Sequence, residues 1–486
     1  MPRPLDLPLI VPAIRLDRDA AEETARARER ARQPWVAGFL VFGGEVEQVR
    51  SLLADLRARA GRPLLVASDM ERGAGQQVRG LSHLPDLGIY GLAATPEEAA
   101  DHGERTAREA LSVGVDVLFG PVLDVRSEPD NPIVGNRALG WDPARVGLLG
   151  AAWCRGALRG GAAPVGKHVP GHGGTLADSH DAVPVVEESR ARIEQRDMLP
   201  FRIAMQEGVC PALMTAHVAY PALDPSRAIA SFSAPILAWV RALAPDPEAL
   251  CLFSDALGMS GALGMGSETL GARAALQAGC DLLLYPEQPE RVAEELLEGP
   301  GAHLRAHAER ALPRVRALLA RIGQAGALAR ASRLASGDAP RAVARRALSL
   351  AGGEALRRER RAVLVLDDDT VAMRGVALGE AGRAAGVPVH VLRVKEGERP
   401  PAGLVAGGAL TVVVMASVRA WKGASGVSPA LQALLGEVQA GAASGGHPCQ
   451  VVWLAPRATG PGVLLPGGGP AVEQALGERL FGVGPA

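Results

Sequence analysis

Residues 163–180 read APVGKHVPGHGGTLADSH, and both the fold and the chemistry of the chain are most legible there. Ala163–His168 is a short apolar run that closes on Lys167 and His168, as a buried strand does when its last side chains reach a polar rim. The glycines that follow, Gly171, Gly173 and Gly174, read as a loop able to move. Beyond them Asp178 and His180 stand two apart, close enough for the carboxylate to orient the imidazole. That pair reads as a proton-transfer device on a mobile arm.

Working outward, the same run-then-helix rhythm repeats over the first 290 residues. The apolar runs are Leu9–Ile14, Val36–Phe42, Pro63–Ser68, Val115–Phe119, Ala163–His168, Ala212–His217, Leu250–Ser254 and Asp281–Tyr285. Amphipathic stretches such as Ala20–Gln33, Glu45–Ala60, Pro96–Val113 and Glu187–Glu207 separate them. Eight strand–helix repeats predict a (β/α)8 barrel. The spacings after the third and fourth runs exceed what a bare barrel needs, so functional loops are expected there. Several runs end in, or lead into, polar residues: Asp69, Asp124, Lys167-His168, His217 and Asp255. In such a barrel these ends gather at one face, where the active site lies.

A second pattern follows. Residues 326–360 read as a helical linker, and strand candidates Ala362–Leu366, Val387–Leu392, Leu410–Met415 and Gln450–Leu454 alternate with helices at Thr370–Ala385 and Pro429–Ala440. The expected organisation is a catalytic barrel over 1–325, the linker, and a smaller α/β/α sandwich with a mostly parallel sheet over 361–486. Gly462–Gly469 reads as a surface loop, and with no Gly-x-Gly-x-x-Gly after a strand, a nucleotide site is not indicated.

Composition narrows the function classes. At 486 residues with 48% hydrophobic content, the chain suits two domains with sizeable cores. Lys plus Arg (52) balances Asp plus Glu (53), so no global field points to nucleic acid or a membrane surface. Aromatics at 3% argue against a stacking platform for single strands. Cys154, Cys210, Cys251, Cys280 and Cys449 are dispersed within mostly apolar runs and read as buried free thiols. Met1–Ile14 lacks a long apolar core and a cleavage site, so a cytoplasmic location is expected. No cofactor is expected, and a metal site of His168, His172, His180 and Asp178 is disfavoured because the loop lacks a helical His pair. The spacing leaves the oligomeric state open.

Asp255, after Leu252-Phe253-Ser254, is a carboxylate placed to attack an electrophilic carbon. Retaining glycoside cleavage needs such a nucleophile and a proton donor about 5 Å away. The donor candidate is His180, oriented by Asp178; an imidazole gives and retakes a proton near neutrality without a large shift. Asp69, Arg79, Asp124, Arg137, Lys167 and His168 form a set of short acceptors and donors suited to hydroxyls. His172 and His217 read as loop-shaping or packing residues.

The chain resembles the glycoside hydrolase family 3 enzymes of the β-N-acetylglucosaminidase branch. The likeness rests on Phe119–Val125, Asp130-Asn131-Pro132, Gly135-Asn136-Arg137, Lys167–Gly173 with Asp178-Ser179-His180, and Phe253-Ser254-Asp255. It implies a covalent glycosyl-enzyme at Asp255, His180 as acid/base with Asp178 as partner, and Asp69, Arg79, Arg137, Lys167 and His168 holding an N-acetylglucosamine ring. The expected substrates are small: terminal β-linked N-acetylglucosamine on cell-wall muropeptides or chitooligosaccharides. The chain departs from the family pattern at Gly174, where Asp is usual, at Ala256, often Asp in this branch, and between Asp69 and Arg79, which is two residues longer. Alternatives are a β-N-acetylglucosaminide phosphorylase, a glucosidase or xylosidase with Glu396 or Glu398 as acid, and a non-catalytic sugar-binding protein.

Overall fold

The computed structural model describes residues 6–486 except 132, 176–182, 259–265, 298–303, 332–337, 358–361, 368–373, 395–396, 401–403, 405–409, 417–426, 446, 457 and 483–486. The chain forms two compact units: residues 1–82, 99–131 and 140–335, and residues 83–98, 132–139 and 336–486. The long connections after the third and fourth apolar runs thus each give a segment to the second unit.

In the first unit, seven strands pair in sequence order, all parallel: β2 (Ala13–Arg15), β3 (Gly38–Phe42), β4 (Leu65–Ser68), β5 (Val117–Val122), β6 (Ala163–Val169), β7 (Ala212–Thr215) and β8 (Cys251–Phe253). Each falls within or overlaps one of the predicted runs. β1 (Ile10–Val11) pairs in parallel with β9 (Leu283–Leu284). Single bridges join Phe253 to Leu282 and Ile10 to Val36. The strands are near-continuously apolar because both faces are covered. Alternate residues from every strand, among them Val11, Leu40, Ala67, Phe119, Val165, Met214, Phe253 and Leu284, share one buried cluster. The Phe119 and Phe253 rings meet edge to face with centroids 5.4 Å apart. Their strands are three places apart, roughly 14 Å in a flat sheet, so the sheet curls around this cluster.

Helices start and stop where local chemistry dictates. Ala20–Arg30 begins at Asp19, whose carboxylate accepts from the Glu22 N–H at 3.0 Å. Pro143–Gly160 begins at Asp142 with proline in the first turn and ends at Gly161, at φ 99°. The stretch predicted as one helix over 187–207 is instead Arg190–Arg192, a π-helical turn Ile193–Asp197, and Leu199–Gln206. Arg305–Ala331 runs through the predicted linker boundary.

The second unit holds a five-stranded parallel sheet, ordered β11 (Val389–Arg393), β10 (Val363–Asp367), β12 (Leu410–Met415), β13 (Cys449–Leu454), β14 (Val463–Leu465). Four strands match prediction. The fifth corrects it: Val463–Leu465, read as part of a surface loop, pairs with Val452–Leu454 at the sheet edge. Its flanking glycines hid a three-residue strand. Within this unit the Asp86 carboxylate accepts from the Asn136 side chain and the Gly468 N–H, both at 2.8 Å, so it ties together three separate chain segments. Arg137 belongs here too, donating to the Ile133 carbonyl at 2.9 Å.

Candidate active site

Because the strands of the first unit are parallel, their carboxyl ends lie along one rim. β4 ends at Ser68 and is followed by Asp69 and Glu71. Two strands on, β6 carries Lys167, whose ammonium stands 2.6 Å from Asp69 Oδ1 and 2.7 Å from Glu71 Oε1. Lys167 is buried, and two carboxylates compensate its charge. The Asp69 side chain is 28% exposed against 7% for Glu71, so Asp69 is the acceptor a ligand can reach. Sequence reasoning missed Glu71. Its signal was its position two residues past Asp69 at the same strand end.

Asp124 follows β5 and is fully buried. Its oxygens accept from the His168 N–H (3.1 and 3.2 Å), from the His172 N–H (2.7 Å), and face His168 Nδ1 at 2.7 Å. Expected to meet hydroxyls, Asp124 instead holds the backbone and imidazole of the histidine loop. Burial pushes its carboxyl up, but the His168 charge and hydrogen bond, with help from His172, hold it below its ordinary value. Burial, joined by the neighbouring His168, pushes His172 down to about 4, so its imidazole is neutral near neutrality. Its Nδ1 lies 3.0 Å from the Thr175 hydroxyl. The peptide between Lys167 and His168 is cis.

Asp255 lies two residues beyond β8, with its Oδ1 accepting from the Ala256 N–H at 2.8 Å. Burial opposes its ionisation, yet nearby His217 and His168, the Ala256 N–H and His172 keep the carboxyl below its ordinary range. His217, two residues past β7, is buried, with Nε2 3.1 Å from the Ala256 carbonyl and Nδ1 2.8 Å from the Ser231 hydroxyl.

Asp178 and His180 lie in segment 176–182, outside the described residues. Both flanks of that segment are tied to this rim. On one side, Asn131 donates to the carbonyls of His172 (2.9 Å) and Thr175 (3.0 Å), and the Tyr220 hydroxyl donates to the Gly171 carbonyl at 2.7 Å. On the other, Val185 bridges Ala219, with the Val186 N–H donating to the Ala219 carbonyl and the Ala219 N–H to the Pro184 carbonyl, each at 2.9 Å. Ala219 is two residues from His217, whose ring meets the residue after Asp255. The described flanks, up to Thr175 on one side and from Val183 on the other, thus lie on the strand-end side that carries Asp255.

Arg79 is 64% exposed and pairs with Glu45 at 2.5 Å. Lys167, His168, Asp69, Asp124 and Asp255 are thus brought to one rim; Arg79 is engaged with Glu45 instead, and Arg137 lies in the other unit. All five cysteines are free thiols. Among the described residues, no group of three or more His, Cys, Asp and Glu is arranged to hold a metal, and no helix is long and apolar enough to cross a membrane.

The N-terminal domain profile of glycosyl hydrolase family 3 matches residues 12–316. A β-hexosaminidase from Pseudomonas aeruginosa is 40% identical over 267 residues, covering 53% of this chain and 77% of the relative. One from Chromobacterium violaceum is 38% identical over 279 residues, covering 55% and 76%. The chain belongs to glycosyl hydrolase family 3 and is a glycoside hydrolase. Among solved structures, a family 3 β-N-acetylglucosaminidase from Paenibacillus sp. shares its fold over 98% of this chain and 95% of that one, with a TM-score of 0.76 at 24% identity. NagZ from Neisseria gonorrhoeae, solved with N-trifluoroacetyl-D-glucosamine, is 28% identical over 67% of this chain and all of its own, with a TM-score of 0.52.

Proposed function

We propose that the protein is a retaining β-N-acetylglucosaminidase that removes terminal β-linked N-acetylglucosamine from small muropeptide or chitooligosaccharide fragments in the cytoplasm. In this reading the first unit closes as a (β/α)8 barrel and the second is an α/β/α sandwich. The observation that carries it is Asp255: a buried carboxylate held ionised at the same rim to which both flanks of the Asp178–His180 segment are tied. The β-hexosaminidase relatives, and the N-trifluoroacetyl-D-glucosamine held by NagZ, support the choice of sugar.

Asp255 Oδ1 is gripped by the Ala256 N–H, so Oδ2 attacks the anomeric carbon. The bond from that carbon to the leaving oxygen breaks as His180 gives that oxygen its proton, leaving a glycosyl ester on Asp255. Water then attacks the same carbon, its proton returns to His180, and the carboxylate is released. Asp178 holds the imidazole in the tautomer and orientation both steps use. Asp69, Lys167 and His168 hold sugar hydroxyls through charge-assisted hydrogen bonds.

The test is a product assay on N-acetylglucosaminyl-β-1,4-anhydromuramic acid and on chitobiose, with phosphate varied. Free N-acetylglucosamine at a rate independent of phosphate supports the hydrolase. Sugar 1-phosphate formed in proportion to phosphate makes the protein a phosphorylase, and no turnover of either substrate reduces it to a sugar-binding protein.

A further inference from the structure

We infer that His217 is a positioning residue for Asp255, acting through the residue between them in space, Ala256. The inference rests on the reading of Asp255 as the nucleophile. Ala256 is held from two sides. Its N–H donates to Asp255 Oδ1 at 2.8 Å, and its carbonyl lies 3.1 Å from His217 Nε2. A carbonyl only accepts, so Nε2 carries a proton and donates. The imidazole therefore anchors the residue whose N–H grips the attacking carboxylate.

The ring is itself fixed. His217 Nδ1 is 2.8 Å from Ser231 Oγ; that hydroxyl is 2.7 Å from Thr215 Oγ1 and 3.1 Å from the Ala216 carbonyl. Phe232 packs beside the ring, with centroids 5.8 Å apart. These contacts satisfy both charge states. With a neutral imidazole, the Ser231 hydroxyl donates to Nδ1 and the Thr215 hydroxyl donates to Ser231. With an imidazolium, Nδ1–H donates to Ser231 Oγ and the Ser231 hydroxyl turns to the Ala216 carbonyl. The ring keeps its grip on Ala256 in either state, and only hydroxyl protons rearrange. That suits a neighbour of a carboxylate that becomes a neutral ester and then ionises again in every turnover. His217 also heads the charges that favour the ionised form of Asp255. The network draws on three chain segments: β7 and its end, the 230–232 turn, and the residue after Asp255.

The experiment compares His217→Gln, His217→Asn and Ser231→Ala on an aryl β-N-acetylglucosaminide with an activated leaving group, whose departure needs no proton donor. Its turnover then depends on Asp255 in both the making and the breaking of the glycosyl ester. A glutamine amide nitrogen can reach the place of Nε2 and donate to Ala256; asparagine reaches only the place of Nδ1. We expect His217→Asn to lower kcat by roughly 10- to 100-fold with KM within about twofold, the size of loss a misplaced reacting group brings. His217→Gln should recover at least about tenfold of that loss, and Ser231→Ala should lower kcat by roughly threefold or more at unchanged KM. Equal loss in the Gln and Asn variants, or loss confined to KM, overturns the inference. Should His217→Asn fail to fold, unchanged kcat in Ser231→Ala overturns it instead. An Asp255→Ala variant run alongside separates the two readings: activity retained there defeats the nucleophile assignment itself.

Discussion

The two ends of the curled sheet use buried aspartates in opposite ways. At the amino end, Asp116 stands just before β5 and Asp281 just before β9. Asp116 accepts from the Val66 N–H at 2.8 Å and from Arg57 at 2.7 Å. Asp281 accepts from the Leu252 N–H and Arg241, both at 2.9 Å, and from Arg314 at 3.2 Å. Each joins a neighbouring strand to helices through permanently charged arginines. Burial still pushes Asp116 up to about 6 and raises Asp281. At the carboxyl end, Asp124 and Asp255 are buried, yet imidazoles and backbone N–H groups hold both below the ordinary range. One end uses carboxylates as cross-links. The other keeps them ionised, with partners that can exchange protons. That is the division of labour expected between the stability face and the active face of a strand–helix barrel.

Changing one aspartate at each end breaks the comparison most directly. Asp255→Ala should lower kcat by roughly 10^4-fold or more while moving the urea midpoint little. Retention of a tenth of the activity would remove Asp255 from the chemistry. Asp281→Ala should do the reverse. It takes the carboxylate partner from Arg241, leaves Arg314 only Glu248, and costs about 3 kcal/mol in urea unfolding, with kcat per folded molecule nearly unchanged.

The pH dependence sharpens the contrast because its sign differs between the ends. His172 has its native pKa depressed to about 4, below the unfolded value near 6.5. Its contribution is present above about 6.5 and lost as pH falls towards 4, about 3 kcal/mol in all. Asp116 has its native pKa raised to about 6, so its contribution is present below the unfolded value near 4 and lost as pH rises through 6. Urea midpoints between pH 7 and 4 should show the advantage of wild type over His172→Gln shrinking on acidification. The difference between wild type and Asp116→Asn should move the other way. Parallel curves would show that neither group is linked to folding as described. The smallest effect is expected at Arg79. Its surface pair with Glu45 predicts less than about 0.5 kcal/mol and a KM within about twofold for Arg79→Ala. A tenfold rise in KM would mean that Arg79 turns towards the sugar.

Much of this was legible in the chain. Continuous apolar runs are local, and a parallel sheet buried on both faces writes them plainly, so the eight runs of the first unit and four of the five strands of the second could be read directly. The three-residue strand Val463–Leu465 could not, since so short a run flanked by glycines looks like a loop until a neighbour pairs with it. Lys167, His168, Asp69 and Asp255 could be singled out because each stands at or next to the end of an apolar run. Glu71 was missed because nothing local distinguishes it from a solvated acid; Lys167, 96 positions later, makes it a site residue.

The sequence by itself determined which side chains stand at strand ends and which chemistry they permit, because both follow from spacing along the chain. Only the tertiary structure decided their partners. It turned Asp124 inward to the histidine loop, joined His217 to Ala256, and gave residues 83–98 and 132–139 to the second unit. The reason is physical: a hydrogen bond between residues dozens of positions apart depends on cross-strand register and the path of the loops, and neither is written in any single stretch of sequence.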